Sequence, residues 1–454
     1  MRPASDITLV ARAATRATSS DLAAALSNAV RLALAPCTGC GLCNAVRPAA
    51  NNATAVTNRG LIAMLWHVFA RADLSNSEQA PSAAALIELG PHLDRVLETN
   101  QVDAICPEGV RFGDAVRAAR AVRMIACDGD RNSRAYRQLG ERFMGTRHTG
   151  RLSKLKAAAR PFTGGSRPPS VANLAEADED GRDDTRGEVA AFARPGVALT
   201  ERAEQRGRVV LLPGSRDRHV RPHITEATLR LLARQGFDVV VPPGHACSGA
   251  VGDALGMAEA AATCRAQNIR AIEHAQVVLE RAVPERDVTP RLDALVTTGP
   301  VDAVAVRRTV QRHPTPFVLP PIDLDTRRLI EGASDAISFL ADRDFGAPTR
   351  WSALRVGVLR SDGRDVVASR DLANLLENAG YTANVCDVDG TWLQTSGLQT
   401  WTTPDSVAAV RAQTFAALAR ARLDVLAVAD VGALVLLGET PPLPVVHAVE
   451  LLDW

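Results

Sequence analysis

Apolar residues recur at helical spacing in four stretches of the first third of the chain. These are DLAAALSNAVRLAL from Asp21, LIAMLWHVFARA from Leu61, SAAALIELGPHLDRVLE from Ser82 and GDAVRAARAVRMIA from Gly113. That period predicts amphipathic helices, the first of them capped at Ser20 or Asp21. From residue 207 the pattern changes to short apolar runs alternating with amphipathic stretches: RVVLLPGS, ITEATLRLLARQG, FDVVVPP, AEAAATCRAQNIRAIEHAQ and LDALVTT. Buried strands covered by helices, the layout of a parallel sheet, produce this order. The same order returns from Leu354 as LRVGVLRSDG, SRDLANLLENAG, YTANVCDVDG, SVAAVRAQTFAALARA and LDVLAVADVG, the signature of an internal duplication. Between the two regimes, FTGGSRPPS and EADEDGRDDTRG are rich in Gly, Pro and charge and read as a linker. The pattern therefore predicts an α/β protein with an all-α N-terminal part. A helical domain spans 1–160, a linker 161–206, and two duplicated α/β lobes 207–345 and 346–454.

The composition suits this division. A chain of 454 residues holds roughly three domains of about 100–200 residues each. With 46% hydrophobic residues it can build packed cores, and with only 4% aromatics those cores rest on Ala, Leu and Val. Lys and Arg number 52 against 51 acidic residues, a net charge of +1 that argues against a nucleic-acid binder. No run approaches the roughly 18 apolar residues of a membrane-spanning helix. The N-terminal MRPASDITLVARAATRATSSDLAAAL lacks the apolar core of a secretory signal. Its Arg, Ser and Thr are shared with mitochondrial transit peptides, but an ordinary first helix accounts for it better. A reducing cytoplasm is the default compartment, where clustered cysteines hold metal more often than they form disulfides.

Three of the eight cysteines stand in one short run, PCTGCGLCNAVRP, as Cys37, Cys40 and Cys43. The spacing C-x2-C-x2-C lets a loop wrap three thiolates around one iron–sulfur cube, with Gly39 and Gly41 allowing the backbone to curl over it. A bacterial ferredoxin run continues with x3-C-P, its fourth cysteine serving the other of two clusters. Here that position is Arg47, before Pro48, and the other Cys-Pro in the chain is Cys106-Pro107. Counting back from Cys106 by the same spacing reaches Val102, Thr99 and Val96. One cluster thus keeps all four thiols, Cys37, Cys40, Cys43 and Cys106, while the other has lost all four. One [4Fe–4S] cluster is expected, with Arg47 adding positive charge beside it. Cys127 and Cys264 are expected to be core residues.

These motifs resemble the iron–sulfur subunit of glycolate oxidase and its relatives, among them subunits of D-lactate and glycerol-3-phosphate dehydrogenases and of heterodisulfide reductase. The residues that carry the resemblance are CTGCGLCNAVRP (37–48), NRGLIAML (58–65) and CPEGVRFGD (106–114), with the stretch at 211–256 and the terminal PVVHAVELL. The resemblance implies a helical ferredoxin-like [4Fe–4S] domain followed by two CCG-type lobes. It also implies an electron-transfer role: a partner subunit binds FAD and oxidises a 2-hydroxyacid, and electrons pass on towards a quinone or another acceptor. The partner makes a hetero-oligomer, cytoplasmic or peripheral at the inner membrane. In the family the CCG cysteines can bind a further iron–sulfur centre. Here the first site reads Cys247-Ser248-Gly249, with its adjoining Gly-Cys pairs read as Gly214-Ser215 and Gly299-Pro300; in the second repeat the corresponding region 389–405 has no cysteine and the last Gly-Cys reads Gly432-Ala433. A lone thiol among serines is a poor iron site, so both lobes are expected to be metal-free.

Two other functions are weighed beside electron transfer. A structural or assembly subunit would use its lobes as an interface and its cube for folding. Heterodisulfide-reductase chemistry would need the missing CCG cysteines. GHACSGAVG lacks the spacing of a dinucleotide-binding loop, and His447 with Glu450 is one pair, too few for a metal site.

Overall fold

The computed structural model describes residues 18–45, 56–70, 81–96, 101–129, 131–144, 196–198, 206–242, 244–282, 291–310, 317, 319–343, 345, 353–360, 368–389, 397–438 and 441–453. It is a mixed α/β protein, rich in helix, with two small sheets whose strands run mostly parallel.

Six helices form the N-terminal part: α1 (Ser19–Leu34), α2 (Asn58–Ala70), α3 (Ala83–Asp94), α4 (Gln101–Ile105), α5 (Phe112–Ala126) and α6 (Arg131–Met144). The cap of α1 lies at Thr18, ahead of the expected Ser20 or Asp21. Asp21 N–H donates to the Thr18 hydroxyl at 3.2 Å while Thr18 N–H donates to the Asp21 carboxylate at 2.8 Å, so the pair satisfies two helix-end donors reciprocally. Ala23, Leu26, Ala29, Val30, Ala33 and Leu34 make one buried stripe on α1. It joins Leu61, Leu65, Phe69, Leu86, Leu93 and the apolar face of α5 in a single core. Val96 and Val102 pack in that core too; Thr99 lies outside the described residues.

The first sheet has the order β1-β3-β2-β4-β5, built from Gly196–Ala198, Gly207–Leu212, Phe237–Val241, Ala294–Thr297 and Ser334–Asp335 numbered in chain order. Every neighbouring pair is parallel except the edge pair β1–β3. Strand β1 falls inside the stretch expected to be linker. The second sheet is all parallel, in the order β7-β6-β8-β9, from Arg355–Arg360 (β6), Thr382–Asp389 (β7), Val425–Val428 (β8) and Val445–His447 (β9).

Alternation along the strands sorts the packing. Val209, Leu211, Val239, Val241 and Val296 of the first sheet share one core with Val356, Val358, Val425, Ala427 and Val446 of the second. Between them lie the apolar faces of the helix Pro222–Arg234, the short helix Ala336–Ala341, the helix Ser369–Asn378 and the terminal helix Ala448–Leu452. The opposite faces, Val210, Leu212, Val240 and Leu295 in one sheet and Leu359, Leu426 and Val428 in the other, are covered by separate outer helices. Two sheets therefore flank a shared helical layer. The helical part docks on the first lobe through Arg120, whose buried guanidinium donates to the carbonyls of Leu93 at 2.7 Å and Ala254 at 3.2 Å. A Cβ on Gly256 would stand 2.6 Å from the Arg120 carbonyl, and its φ of +77° is glycine's territory, so that contact requires glycine twice over. Among the described residues, no helix is long and apolar enough to cross a membrane.

Candidate metal centre

Helix α1 stops at Pro36, whose ring cannot continue the ladder, and the chain turns at once into the cysteine loop. Cys37 N–H donates to the Leu34 carbonyl at 2.9 Å, anchoring the first thiol to the end of α1. Gly39 and Gly41 take φ of +73° and +83°, which bend the loop back on itself between the thiols. A short 3₁₀ turn, Leu42–Ala45, carries Cys43. The start of α2 clamps this turn: Asn58 donates from Nδ2 to the Cys43 carbonyl at 2.8 Å, and Arg59 N–H donates to Asn44 Oδ1 at 3.0 Å.

The fourth thiol arrives from the other side. Cys106 follows α4, and Gly109, at φ +70°, turns the chain so that Val110 N–H donates to Cys106 Sγ at 3.4 Å. Arg111 N–H then donates to the Ala33 carbonyl at 3.1 Å, tying this loop to the last turn of α1. Cys37, Cys40, Cys43 and Cys106 consequently line one hollow, backed by Ile62, Val102 and Val110. The enclosed space is about 20 Å³, room for one water, so seating a larger group spreads the four sulfurs. Cys37 and Cys40 are exposed, Cys43 and Cys106 half-buried, and all four are free thiols. Burial pushes the Cys43 thiol above its ordinary pKa, and Cys37, Cys40 and Cys106 push it further through the repulsion of neighbouring thiolates.

Among the described residues, no three His, Cys, Asp or Glu side chains converge on a point close enough to hold a single metal ion. A lone ion draws sulfur to about 2.3 Å, whereas a cube offers each thiolate its own iron. An all-sulfur set spread around a hollow, with two left-handed glycines in its loop and an N–H aimed at a sulfur, fits the second chemistry. Arg47 lies outside the described residues. The positive charge seen here belongs to Arg59, whose guanidinium lies against the open faces of Gly39 and Gly41 and lines the hollow. Arg59-Gly60 belongs to the NRGLIAML stretch that carries the resemblance, but its distance along the chain gave no sign that its side chain would line the hollow.

Gly214, Ser248 and Gly299, which the resemblance aligned with CCG-type motifs, lie around a cluster of a different chemistry. At the C-terminal ends of β2, β4 and β8, Arg216 donates to Asp430 at 2.6 Å and to Asp302 at 2.9 Å, with all three side chains buried. Ser248 donates to the other oxygen of Asp302, and Thr298 donates to Asp217, which also accepts from Gly214 N–H at 3.2 Å. A Cβ on Gly214 or Gly299 would come within 2.5 Å of Asp302 or Asp430, so the carboxylates occupy the space beside those glycines. Burial and the neighbouring carboxylates push Asp217 up to about 7, and the two aspartates on either side of it hold Arg216 well above the ordinary guanidinium range. Cys247 is not solitary as the sequence suggested: its sulfur lies 3.6 Å from that of Cys264, both buried. Cys247 stands in the loop before the helix Ala250–Leu255 and Cys264 in the helix that follows, and that separation along the chain gave no warning of it. Cys127 packs in the helical core. His447 caps the terminal helix in a reciprocal pair with Glu450, and burial lowers its imidazole to about 4.

Comparison with family models, with curated proteins and with solved structures finds no match to this chain.

Proposed function

We propose that this chain is an electron-transfer subunit that holds one [4Fe–4S] cluster on Cys37, Cys40, Cys43 and Cys106 and works beside an FAD-binding partner that oxidises a 2-hydroxyacid of the glycolate type. The reading rests on one observation: a thiol some sixty residues downstream lines the same hollow as the C-x2-C-x2-C loop. The cluster supplies one-electron storage when bound. The chain's own residues would do the rest. Four thiolates hold the cube, Ile62, Val102 and Val110 keep water from its inner side, and Val110 N–H and the Arg59 guanidinium stabilise charge on it. The exposed Cys37 and Cys40 mark the side from which a partner's flavin would deliver electrons. The helical part then corresponds to the ferredoxin-like domain of the glycolate oxidase iron–sulfur subunit, and the two sheets to CCG-type lobes that have lost their metal. The assembly is a hetero-oligomer, cytoplasmic or held peripherally at the inner membrane, where a quinone could accept the electrons.

The test is anaerobic purification of the full chain, an iron and sulfide count, and electron paramagnetic resonance after reduction by dithionite. About four irons and a signal that also appears with partner and hydroxyacid support the proposal; a colourless, iron-free chain overturns it. A second reading, a structural or assembly subunit, is favoured by the ion network that fills the lobe sites around Arg216. It predicts a bound cluster that the partner never reduces.

A further inference from the structure

The buried thiols Cys247 and Cys264 are held facing each other by the backbone around them. Cys264 lies on the long helix Ala258–Ala282. Asn268, one turn further along the same helix face, grips the loop that carries Cys247. It donates from Nδ2 to the Cys247 carbonyl at 2.9 Å and accepts at Oδ1 from Ala246 N–H at 2.8 Å. One turn before Cys264, the Ala261 carbonyl lies 3.1 Å from where a Cβ on Gly249 would stand, and Gly249 takes a φ of +87°. Only glycine lets the loop come so close in that conformation. One helix stripe, Ala261, Cys264 and Asn268, thus seats residues 246–249, and the two sulfurs meet at 3.6 Å.

The two thiols are not equivalent. Cys247 S–H donates to Cys264 Sγ, and Gly249 N–H points at Cys247 Sγ from 3.4 Å. The bond from Cys247, helped by the charge of Arg265, pulls the Cys264 thiol below its ordinary pKa. The same bond and burial push Cys247 upward. Cys264 is therefore the readier nucleophile, with Cys247 placed to resolve whatever forms on it. Gly244 and Thr263 are exposed and His245 and Ala246 half-buried, so a thin layer separates the pair from solvent. A small local opening admits an oxidant little larger than water.

We infer that Cys247 and Cys264 are a redox modification site, joined in a reversible disulfide when the chain meets a hydroperoxide. The inference does not rest on the cluster. The Cys264 thiolate attacks one peroxide oxygen, the O–O bond breaks, and the leaving hydroxide takes up the thiol proton as water, with Cys264 left as sulfenic acid. Cys247 sulfur then attacks Cys264 sulfur. The S–S bond forms, and the displaced hydroxide leaves as water with the Cys247 proton. Two thiols give up two electrons and one peroxide takes them; a dithiol reverses the step. The bond staples to the long helix the loop from which Ser248 donates to Asp302.

Trypsin releases Gln235–Arg265 as one peptide that holds these two cysteines and no others, so its readout is separate from the four thiols of the hollow. The full chain is treated with increasing hydrogen peroxide, unfolded in N-ethylmaleimide, digested and weighed by mass spectrometry. The peptide should lose both maleimide labels together and become lighter by two hydrogens, at about tenfold less peroxide than the buried Cys127 needs to lose its own. Dithiothreitol should restore both labels. In Cys264→Ser, Cys247 should keep its label; the native chain decides the matter if that variant does not fold. Both labels retained at peroxide that consumes Cys127, a sulfinic acid on Cys264 in place of the bond, either cysteine joined to a different one, or a label lost from Cys247 in folded Cys264→Ser each overturns the inference.

Discussion

Cys37, Cys40, Cys43 and Cys106 stand at the rim of a hollow, on loops bent by left-handed glycines, where burial and the other three thiols raise the cost of ionising Cys43. Cys247 and Cys264 also touch, but inside a core, with Val251, Leu255 and Phe143 around them and no third thiol. Thiols held apart around a space stay within reach of solvent and of a ligand; thiols that serve packing fill the space themselves. The lobes add the complementary lesson. At the strand ends of the lobes buried charges meet instead of thiols: Arg216 pairs with Asp302 and Asp430, and Asp217 lies beside them.

Removing one thiol from each set breaks the comparison most directly. Cys106→Ser should drop bound iron from about four per chain to near zero, and Cys264→Ser should leave it unchanged. An iron count on the two purified variants decides it. Serine is a hard oxygen ligand and a poor substitute for thiolate on sulfide-bridged iron. Next in size is the network. Arg216→Met strands two buried carboxylates and should lower unfolding free energy by about 3–5 kcal/mol in urea titrations. Adding Asp302→Asn and Asp430→Asn should return most of that loss, because the cost lies in the unpaired charge. A stable Arg216→Met protein would mean the network is wetter than its burial indicates.

Much of this was legible along the chain. The helix periods, the change to strand–helix alternation near residue 207 and the return of that order near 354 each correspond to elements seen here, because burial on one face imposes its own period. That Cys106 lines one hollow with the cysteine loop was expected from its Cys-Pro dipeptide; Val96 and Val102, read as vacated ligand positions, pack in the core. What the sequence hid depends on tertiary approach. Nothing near Arg216 announces that Asp430, more than two hundred residues on, will complete its pair. Strand β1 inside an apparent linker is also set by its partner β3, not by its own composition. The cap at Thr18 differs from Ser20 and Asp21 by a register that only the reciprocal hydrogen bonds settle.

A subtler difference between the two regions is their response to pH. Asp217 is held at about 7 in the folded protein by burial and by the Asp302 charge, against an ordinary value of 3.8. The folded state therefore binds this proton more tightly than the unfolded one. Its contribution is complete below about pH 4 and is lost as pH rises through 7. Asp217→Asn removes that slope while keeping an oxygen for Thr298 and Gly214. The variant should gain on the native protein between pH 4 and 7, ending at least about 1 kcal/mol ahead at pH 8, the worth of a single pKa unit. Urea titrations of both proteins at pH 4.5, 6 and 8 check it, and parallel curves would rule out Asp217 as the titrating group.

The smallest expected effect belongs to the thiol region and bears on electron transfer itself. Arg59 is the cation seen beside the cysteine loop, lying over Gly39 and Gly41. Reduction adds negative charge to a cluster held there, so a nearby guanidinium favours the reduced state and raises the midpoint potential. Because Arg59 is partly open to solvent, the attraction is worth only about 1 kcal/mol at a few ångströms, or ~40 mV for a one-electron couple. Arg59→Gln should lower the potential by that order, and Arg59→Lys should keep most of it, since charge and not hydrogen-bond geometry carries the effect. Redox titration followed by paramagnetic resonance separates the outcomes. If Lys fails where Arg works, the guanidinium is positioning the loop through its contacts, and the difference between the two cysteine regions is one of architecture more than of field.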